Sequence, residues 1–208
     1  MFQRACQFER FRSSISGGEF LETKSSFYIP FLFPIFETID YDNTDEQMIY
    51  DEDLEQARLD NESLTAWLKR LKKKNPRKLD DVFQKHHHEV FESIDCLSCG
   101  NCCKTTSPIF RDIDVKRIAK KLRMPIIEFQ RNYLREDDDG DFVLQEAPCA
   151  FLLDDNSCGI YDIRPQACRD YPHTDRKKIV QLLELTKKNL DVCPAVVRIV
   201  NNVKEELS

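Results

Sequence analysis

Between Cys96 and Cys103 the chain places four thiols within eight residues, spaced C-x-x-C-x-x-C-C. No ordinary core element accounts for that density. A lone Cys packs as a small apolar side chain, but the residues between these are Leu97, Ser98, Gly100 and Asn101, which make neither a strand face nor a helix stripe. Two cysteines separated by two residues turn back on one ion, because a tight loop aims both sulfurs inward and frees backbone N–H groups to donate to them. Gly100 permits the bend. Such thiolates repel one another until a cation neutralises them, so deprotonation and metal binding are linked. Disulfides and unliganded thiols are the competing readings, and the spacing favours metal. Cys102 and Cys103 add a constraint. Adjacent side chains point apart, so both join one mononuclear site only with strain. One of them is left for a second ion, a cluster edge, or no metal.

The 208 residues hold one domain with an appendage, or two small ones. Charged residues make up 33% of the chain and are nearly balanced, with a net charge of −6. No broad basic field recommends nucleic acid as a partner. Nine cysteines in a secreted chain would suggest disulfides. The N-terminus does not read as a signal peptide, however: it carries Arg4, Glu9, Arg10 and Arg12, and no apolar run precedes Phe27. The run from Phe27 to Phe36 is about half the length needed to span a bilayer and contains Pro30 and Pro34, so no membrane association is expected. The expectation is a soluble cytoplasmic protein of a reducing compartment, where thiols at these spacings bind metal rather than pair.

Residues 1–46 look unlike the rest. Ser13, Ser14, Ser16, Gly17 and Gly18 precede the aromatic run, and no helical or strand period lasts. They read as a disordered leader, a strap, or an extension outside the native product, with Met48 as an alternative start and Cys6 as a bystander. Residues 47–208 read as the metal-binding domain. From Asp51, the residues Leu54, Ala57, Leu64, Trp67, Leu68 and Leu71 recur at helical spacing and end in Lys72–Lys74, cations that suit a last turn. Asn75-Pro76 signals an N-cap and a first helical residue. The helix that follows presents Leu79, Val82, Phe83, Val90, Phe91 and Ile94 on one side and delivers the chain into Cys96. It also carries His86, His87 and His88. Successive helical residues are rotated by about 100°, so these three do not converge on one ion. His86 and His87 flank the apolar stripe, and His88 with Glu92 reads as a solvated pair.

Beyond the cluster, Asp112 reads as the cap of a helix to about Arg123, with Ile113, Ile118 and Leu122 inward. A second short helix follows from Pro125 to about Leu134. Glu136–Asp141 is an acidic turn whose spacing does not fit an EF-hand. Phe142–Gln145 reads as a short strand, Pro148–Leu153 as a buried strand carrying Cys149, and Asp154–Ser157 as a turn. Cys158 and Cys168 bracket the next segment, and Cys193-Pro194 separates helices of about 175–190 and 195–207. Setting Cys6 aside, the candidate ligands are Cys96, Cys99, Cys102, Cys103, Cys149, Cys158, Cys168 and Cys193. Eight suffice for two four-thiolate sites, or for one cluster plus a second ion. Arg164 and Arg169 flank the second set. A guanidinium there offsets the negative charge of a thiolate site, or else pairs with Asp162, Asp170 or a carbonyl. Lys104 carries the same two readings. Tyr161 and Tyr171 read as packing residues with a polar tip, and His173 as a surface residue.

The ordered motifs carry a resemblance. They are C-x-x-C-x-x-C-C at Cys96–Cys103, then P-C-x-F-L at Pro148–Leu152, then C-x-I-Y-x-x-R-P-x-x-C-R-x-Y-P at Cys158–Pro172, then Cys193-Pro194. In this the chain resembles the bacterial CxxCxxCC cysteine-cluster family of zinc- or iron-chelating domains, over roughly residues 78–200. The resemblance implies metal held by the cysteines and leaves the cellular role undefined. Flagellin lysine N-methylases carry a similar cluster, but no Gly-rich cofactor loop here supports methyl transfer. Zinc prefers closed four-sulfur sites. Iron–sulfur clusters use a C-x-x-C-x-x-C run with a remote fourth ligand, and Cys96, Cys99 and Cys102 form such a run. The expected fold is mainly α, or a small α+β fold, with helices around an irregular cysteine-rich centre and at most a short hairpin. The expected function is zinc or iron binding without enzymatic activity. The alternatives are an iron–sulfur protein in electron transfer or protein modification, and an interaction module with structural zinc. The sequence specifies no protein partner.

Overall fold

The computed structural model describes residues 43–208, and the expectations for residues 1–42, Cys6 included, lie outside the described residues. The fold is mostly helical with one two-stranded sheet, as the sequence led one to expect. Among the described residues no helix is long and apolar enough to cross a membrane.

One part is a helical framework. It comprises α1 (Asn43–Leu59), α2 (Asn61–Leu71), α3 (Pro76–Phe91), α9 (Leu183–Asn189) and α10 (Pro194–Glu206). The start of α3 follows from its sequence. The Asn75 side chain accepts from the backbone N–H of Arg77 at 3.0 Å, and Pro76 occupies a first-turn position where no N–H is needed. Phe83 is fully buried, and Leu64, Leu71, Leu79, Ile199, Val200 and Val203 join it in one core. Burying a side chain of this size stabilises the fold by about 1.5–3 kcal/mol. Cys99 and Cys193 belong to the same core.

The helix expected over 175–190 is shorter. Lys178 adopts a left-handed conformation, Ile179–Leu182 form a 3-10 turn, and α9 begins only at Leu183. The cause is a long-range cap. The Asp80 carboxylate on α3 accepts from the N–H groups of Lys178 and Ile179, both at 2.8 Å, and sets the turn from outside the segment.

The other part is built from α6 (Asp112–Lys121), α7 (Ile126–Tyr133), β1 (Leu134–Glu136) and β2 (Phe142–Leu144). The strands pair antiparallel with Leu134 opposite Leu144. The acidic turn between them caps itself: the Asp137 carboxylate accepts from Asp139 N–H at 3.1 Å and Asp141 N–H at 2.9 Å. A second core gathers Phe110, Val115, Ile118, Phe129, Phe151 and Ile160. The rings of Phe129, Tyr133 and Phe151 stack with centroids 5.2 Å apart at each step from Tyr133.

Two local expectations are corrected here. Asp112 does not cap α6. Arg111 holds the cap position, and Asp114 turns back to accept from the Arg111 N–H at 3.2 Å. The buried face is accordingly Val115, Ile118 and Ala119, and Ile113 is exposed. Residues 148–153 are not a strand but a chain of turns that makes one bridge, Leu152 to Cys158. Pro148 has no N–H to give a ladder, the Cys149 N–H goes to the Cys103 carbonyl at 2.8 Å, and Leu153 N–H closes a tight turn onto the Ser157 carbonyl at 2.9 Å.

Candidate metal centre

The C-x-x-C-x-x-C-C stretch folds as two short helical turns, α4 (Cys96–Cys99) and α5 (Asn101–Thr105), joined at Gly100. Asp95 caps α4 by accepting from Leu97 N–H at 2.9 Å. Gly100 has φ +57, and a Cβ there would lie 3.2 Å from the Asn156 side chain, so backbone conformation and space both select glycine. Asn156 Nδ2 in turn donates to the Ser98 carbonyl at 3.0 Å. Asn101 Nδ2 donates to the Val192 carbonyl at 2.7 Å, beside Cys193. Three ties therefore hold the remote cysteines to the cluster: Asn156 to Ser98, Asn101 to Val192, and Cys149 N–H to Cys103.

Cys168 lies on α8 (Gln166–Asp170). That element is held by a group the sequence reading passed over. Asp114, 1% exposed, accepts from Gln166 N–H at 3.2 Å and from the Arg117 guanidinium at 2.6 Å. Arg117 also donates to the carbonyls of Ile163 at 3.3 Å and Arg164 at 2.9 Å. The Asp114–Arg117 pair thus clasps the Cys158–Cys168 segment to α6. Its sequence signal was the Asp-x-x-Arg spacing, which places both side chains on one helix face.

The eight thiols gather in two neighbourhoods. Cys96, Cys99, Cys102 and Cys193 line one cavity of about 20 Å³, together with Tyr171. The Tyr171 hydroxyl is buried there without a well-formed hydrogen bond, although it lies close enough to Cys193 for that thiol to help hold it protonated. Burial is the main cause of its raised pKa. Cys149, Cys158 and Cys168 surround Cys103 on its other side and feel its charge, as Cys96 and Cys99 also do, so Cys103 stands between the two groups. Cys149 and Cys158 pack on the second core.

Every shifted thiol moves upward. Burial pushes Cys193 up to about 12, reinforced by Cys96 and Cys99. Burial pushes Cys168 up to about 12, with Cys103, Cys149 and Cys158 adding to it. Cys96 is pushed up to about 11 by burial and by Cys99, Asp95 and Cys103, though the residue keeps an exposed edge. Burial likewise raises Cys99, Cys149 and Cys158. Cys103 is raised first by its hydrogen bond with Cys102 and then by burial. Without metal these thiols stay protonated at neutral pH, and a cation must displace their protons to bind.

The donor chemistry fits zinc or thiolate-bound iron, both of which take cysteine sulfur. Among the described residues no three His, Cys, Asp or Glu side chains stand close enough to hold one ion.

The remaining candidates sort cleanly. The Arg164 guanidinium lies 3.7 Å over the Tyr161 ring and donates to the Tyr161 carbonyl at 2.7 Å. Its charge still lowers the thiol pKa of Cys96, Cys158 and Cys168, so it favours thiolate in both neighbourhoods without touching sulfur. Arg169 is spent on the carbonyls of Arg164 and Asp162. Lys104 donates to the Cys99 carbonyl at 3.3 Å and lowers Cys99 and Cys103. Two of the histidines are bonded elsewhere, and a third faces solvent. His86 bonds Glu89 at 2.8 Å and Glu206 at 2.9 Å, His87 bonds Thr174 at 2.8 Å, and His88 is exposed.

No curated protein and no solved structure matches the chain. A family model does. Residues 95–194 match CxxCxxCC, described as a putative zinc- or iron-chelating domain, and the matched segment spans all eight grouped cysteines.

Proposed function

We propose that the chain binds zinc or iron through the thiolates of Cys96, Cys99, Cys102, Cys103, Cys149, Cys158, Cys168 and Cys193, a reading supported by the match of residues 95–194 to the CxxCxxCC model of zinc- or iron-chelating domains. The domain that does so is residues 47–208, with 1–46 as an extension. The observation that carries this reading is the gathering of cysteines from four separate stretches of sequence onto one short segment. Packing does not require it, because each core is already filled by larger apolar residues. The irregular middle of the chain has few regular elements to hold it, and a bound ion supplies cross-links there.

The chain's own residues prepare the site. Asp95 and Gly100 set the turn, Asn101 and Asn156 dock it, and Arg164 and Lys104 offset the charge that thiolates bring. Zinc bound there supplies rigidity without redox chemistry, and iron adds electron transfer. The role is that of a non-enzymatic metalloprotein in a reducing, cytoplasmic setting, where thiols stay available for metal.

An iron–sulfur centre is the second reading. The observation favouring it is that the run Cys96, Cys99 and Cys102 shares one cavity with the remote Cys193, which matches the three-plus-one ligand pattern of such clusters. Elemental analysis with acid-labile sulfide and a visible spectrum, on protein purified without oxygen, tests both. Zinc without colour supports the first reading. Iron with matching sulfide and a brown colour supports the second. Protein that takes up neither metal overturns both.

A further inference from the structure

We propose that the eight thiols form two separate four-sulfur sites, divided between the adjacent residues Cys102 and Cys103. Cys96, Cys99, Cys102 and Cys193 hold one, beside the Tyr171 hydroxyl. Cys103, Cys149, Cys158 and Cys168 hold the other. The proposal rests on the metal-binding reading above and adds the membership of each site.

Four observations converge on this division. The first is the cavity: of the eight cysteines, only Cys96, Cys99, Cys102 and Cys193 line it. Its volume, about 20 Å³, is that of a single water-sized occupant, which is the scale of one ion. The second is the backbone. Cys102 and Cys103 sit on one helical turn, where successive side chains diverge by about 100°. The Cys103 carbonyl is tied to Cys149 N–H at 2.8 Å, which brings the other loop to that residue. The third is packing. Cys99 and Cys193 are part of the helical core, whereas Cys149 and Cys158 pack on the second core, so two members of each set are carried by different bodies of side chains.

The fourth is the Tyr171 hydroxyl. It is buried at the cavity without a well-formed hydrogen bond. A buried donor left so is uncommon. A thiolate is a stronger acceptor than a thiol, so a metal-bound sulfur in this cavity satisfies it. Two observations oppose the division: Cys96 and Cys99 also feel the charge of Cys103, and one contact crosses between the sets. The Cys102 and Cys103 thiols hydrogen-bond one another. That bond needs a proton, and both sulfurs lose theirs on binding metal.

The test uses the whole chain, stripped of metal and titrated with zinc under reducing, oxygen-free conditions. Thiol alkylation followed by mass spectrometry reads which cysteines each equivalent protects. Two equivalents are expected. One protects Cys96, Cys99, Cys102 and Cys193, and the other protects Cys103, Cys149, Cys158 and Cys168. Cys193→Ser and Cys168→Ser each lose one of the two equivalents, from different sets, and the double variant loses both. Far-UV circular dichroism keeps misfolded variants out of the comparison, and the wild-type protection pattern does not depend on them. Binding of two equivalents with mixed protection, or loss of both through one substitution in a folded variant, overturns the division and leaves metal binding standing. A single equivalent in the wild type does the same. No uptake at all overturns the parent reading and this one with it.

Discussion

The helical framework and the turn-built part of this protein solve the same problem by different means. In the framework, α3 and α10 bury long apolar stripes, and Phe83, Ile199 and Val203 are fully or almost fully removed from solvent. Order there comes from many interchangeable contacts. In the segment from Asp95 to Thr174 a smaller core is built on α6, α7 and the hairpin, but the cysteines sit on short elements beside it that single polar ties dock: Asp114 to Gln166, Asn156 to Ser98, Asn101 to Val192. Each tie is singular, so its loss is not absorbed by neighbours. The difference teaches where metal has leverage. An ion adds little to a filled core and much to loops that meet at their cysteines.

Metal removal is the sharpest way to break the comparison. Structural zinc binds small peptides with about 10–16 kcal/mol of apparent free energy, more than any one side chain contributes to a core. Stripping metal from the loaded protein should raise hydrogen exchange across residues 95–174 while the amides of α3 and α10 remain protected. An equal loss of protection in both parts would show that the framework depends on the metal as heavily as the loops do.

The clasp at Asp114 comes next. Asp114→Ala removes a buried carboxylate and leaves the N–H groups of Gln166 and Arg111 without their acceptor. Breaking a buried pair of this kind is expected to destabilise the protein by about 3 kcal/mol. Zinc held by Cys103, Cys149, Cys158 and Cys168 should weaken with it, because α8 carries Cys168. Binding at Cys96, Cys99, Cys102 and Cys193 should change little. Denaturant melts combined with zinc titration check this, and equal weakening of both sets would remove the clasp from its assigned place.

The legibility of the two parts in the sequence differs for the same reason. The framework helices carry their own periodicity and caps, so Asn75-Pro76 and the stripe from Leu79 to Val90 located α3 before any coordinates. Of the hairpin, the acidic turn and β2 were legible, and β1, which begins where the preceding helix was expected to end, was not. The 3-10 turn at Ile179–Leu182 was not, because its cap is Asp80, about a hundred residues away in sequence. The same holds for residues 148–153, whose composition suits a strand but whose first N–H is taken by Cys103. The cysteines themselves were visible as a set. Their grouping was not, since it depends on which core each loop packs against. Tyr171 was legible as a packing residue, and only its buried, unsatisfied hydroxyl distinguishes it from one.

Tyr171→Phe sharpens the comparison at the cavity, with effects of opposite sign. The metal-free protein should become more stable by about 1 kcal/mol, because a buried hydroxyl without a good partner is removed. Zinc affinity at Cys96, Cys99, Cys102 and Cys193 should fall roughly tenfold, as a donor to the bound sulfur is lost. Thermal melts without metal and competition titrations with it separate the two. A variant that loses stability without metal would mean the hydroxyl is satisfied as it stands.

The smallest expected effect lies at the seam between the two parts, where His87 of α3 bonds the fully buried Thr174 at 2.8 Å. Burial lowers the His87 pKa below the ordinary value, and His88 adds to this, while Asp175 pulls the other way. The folded protein therefore takes this proton at a lower pH than the unfolded chain, whose histidines titrate near 6.5. Above about pH 6.5 neither state is protonated there and the group adds no slope. As the pH falls below about 6.5 the unfolded chain gains the proton first, so stability declines until the depressed folded value is passed. His87→Gln keeps a side chain able to bond Thr174 and removes the titration. Its stability relative to wild type should be flat from pH 8 to about 6.5 and should improve below that, in urea melts at each pH. His173, also lowered by burial, is present in both proteins and cancels in the difference. A difference that stays constant down to pH 5 would mean that His87 is solvated in solution and that the seam opens more freely than the hydrogen bond to Thr174 implies.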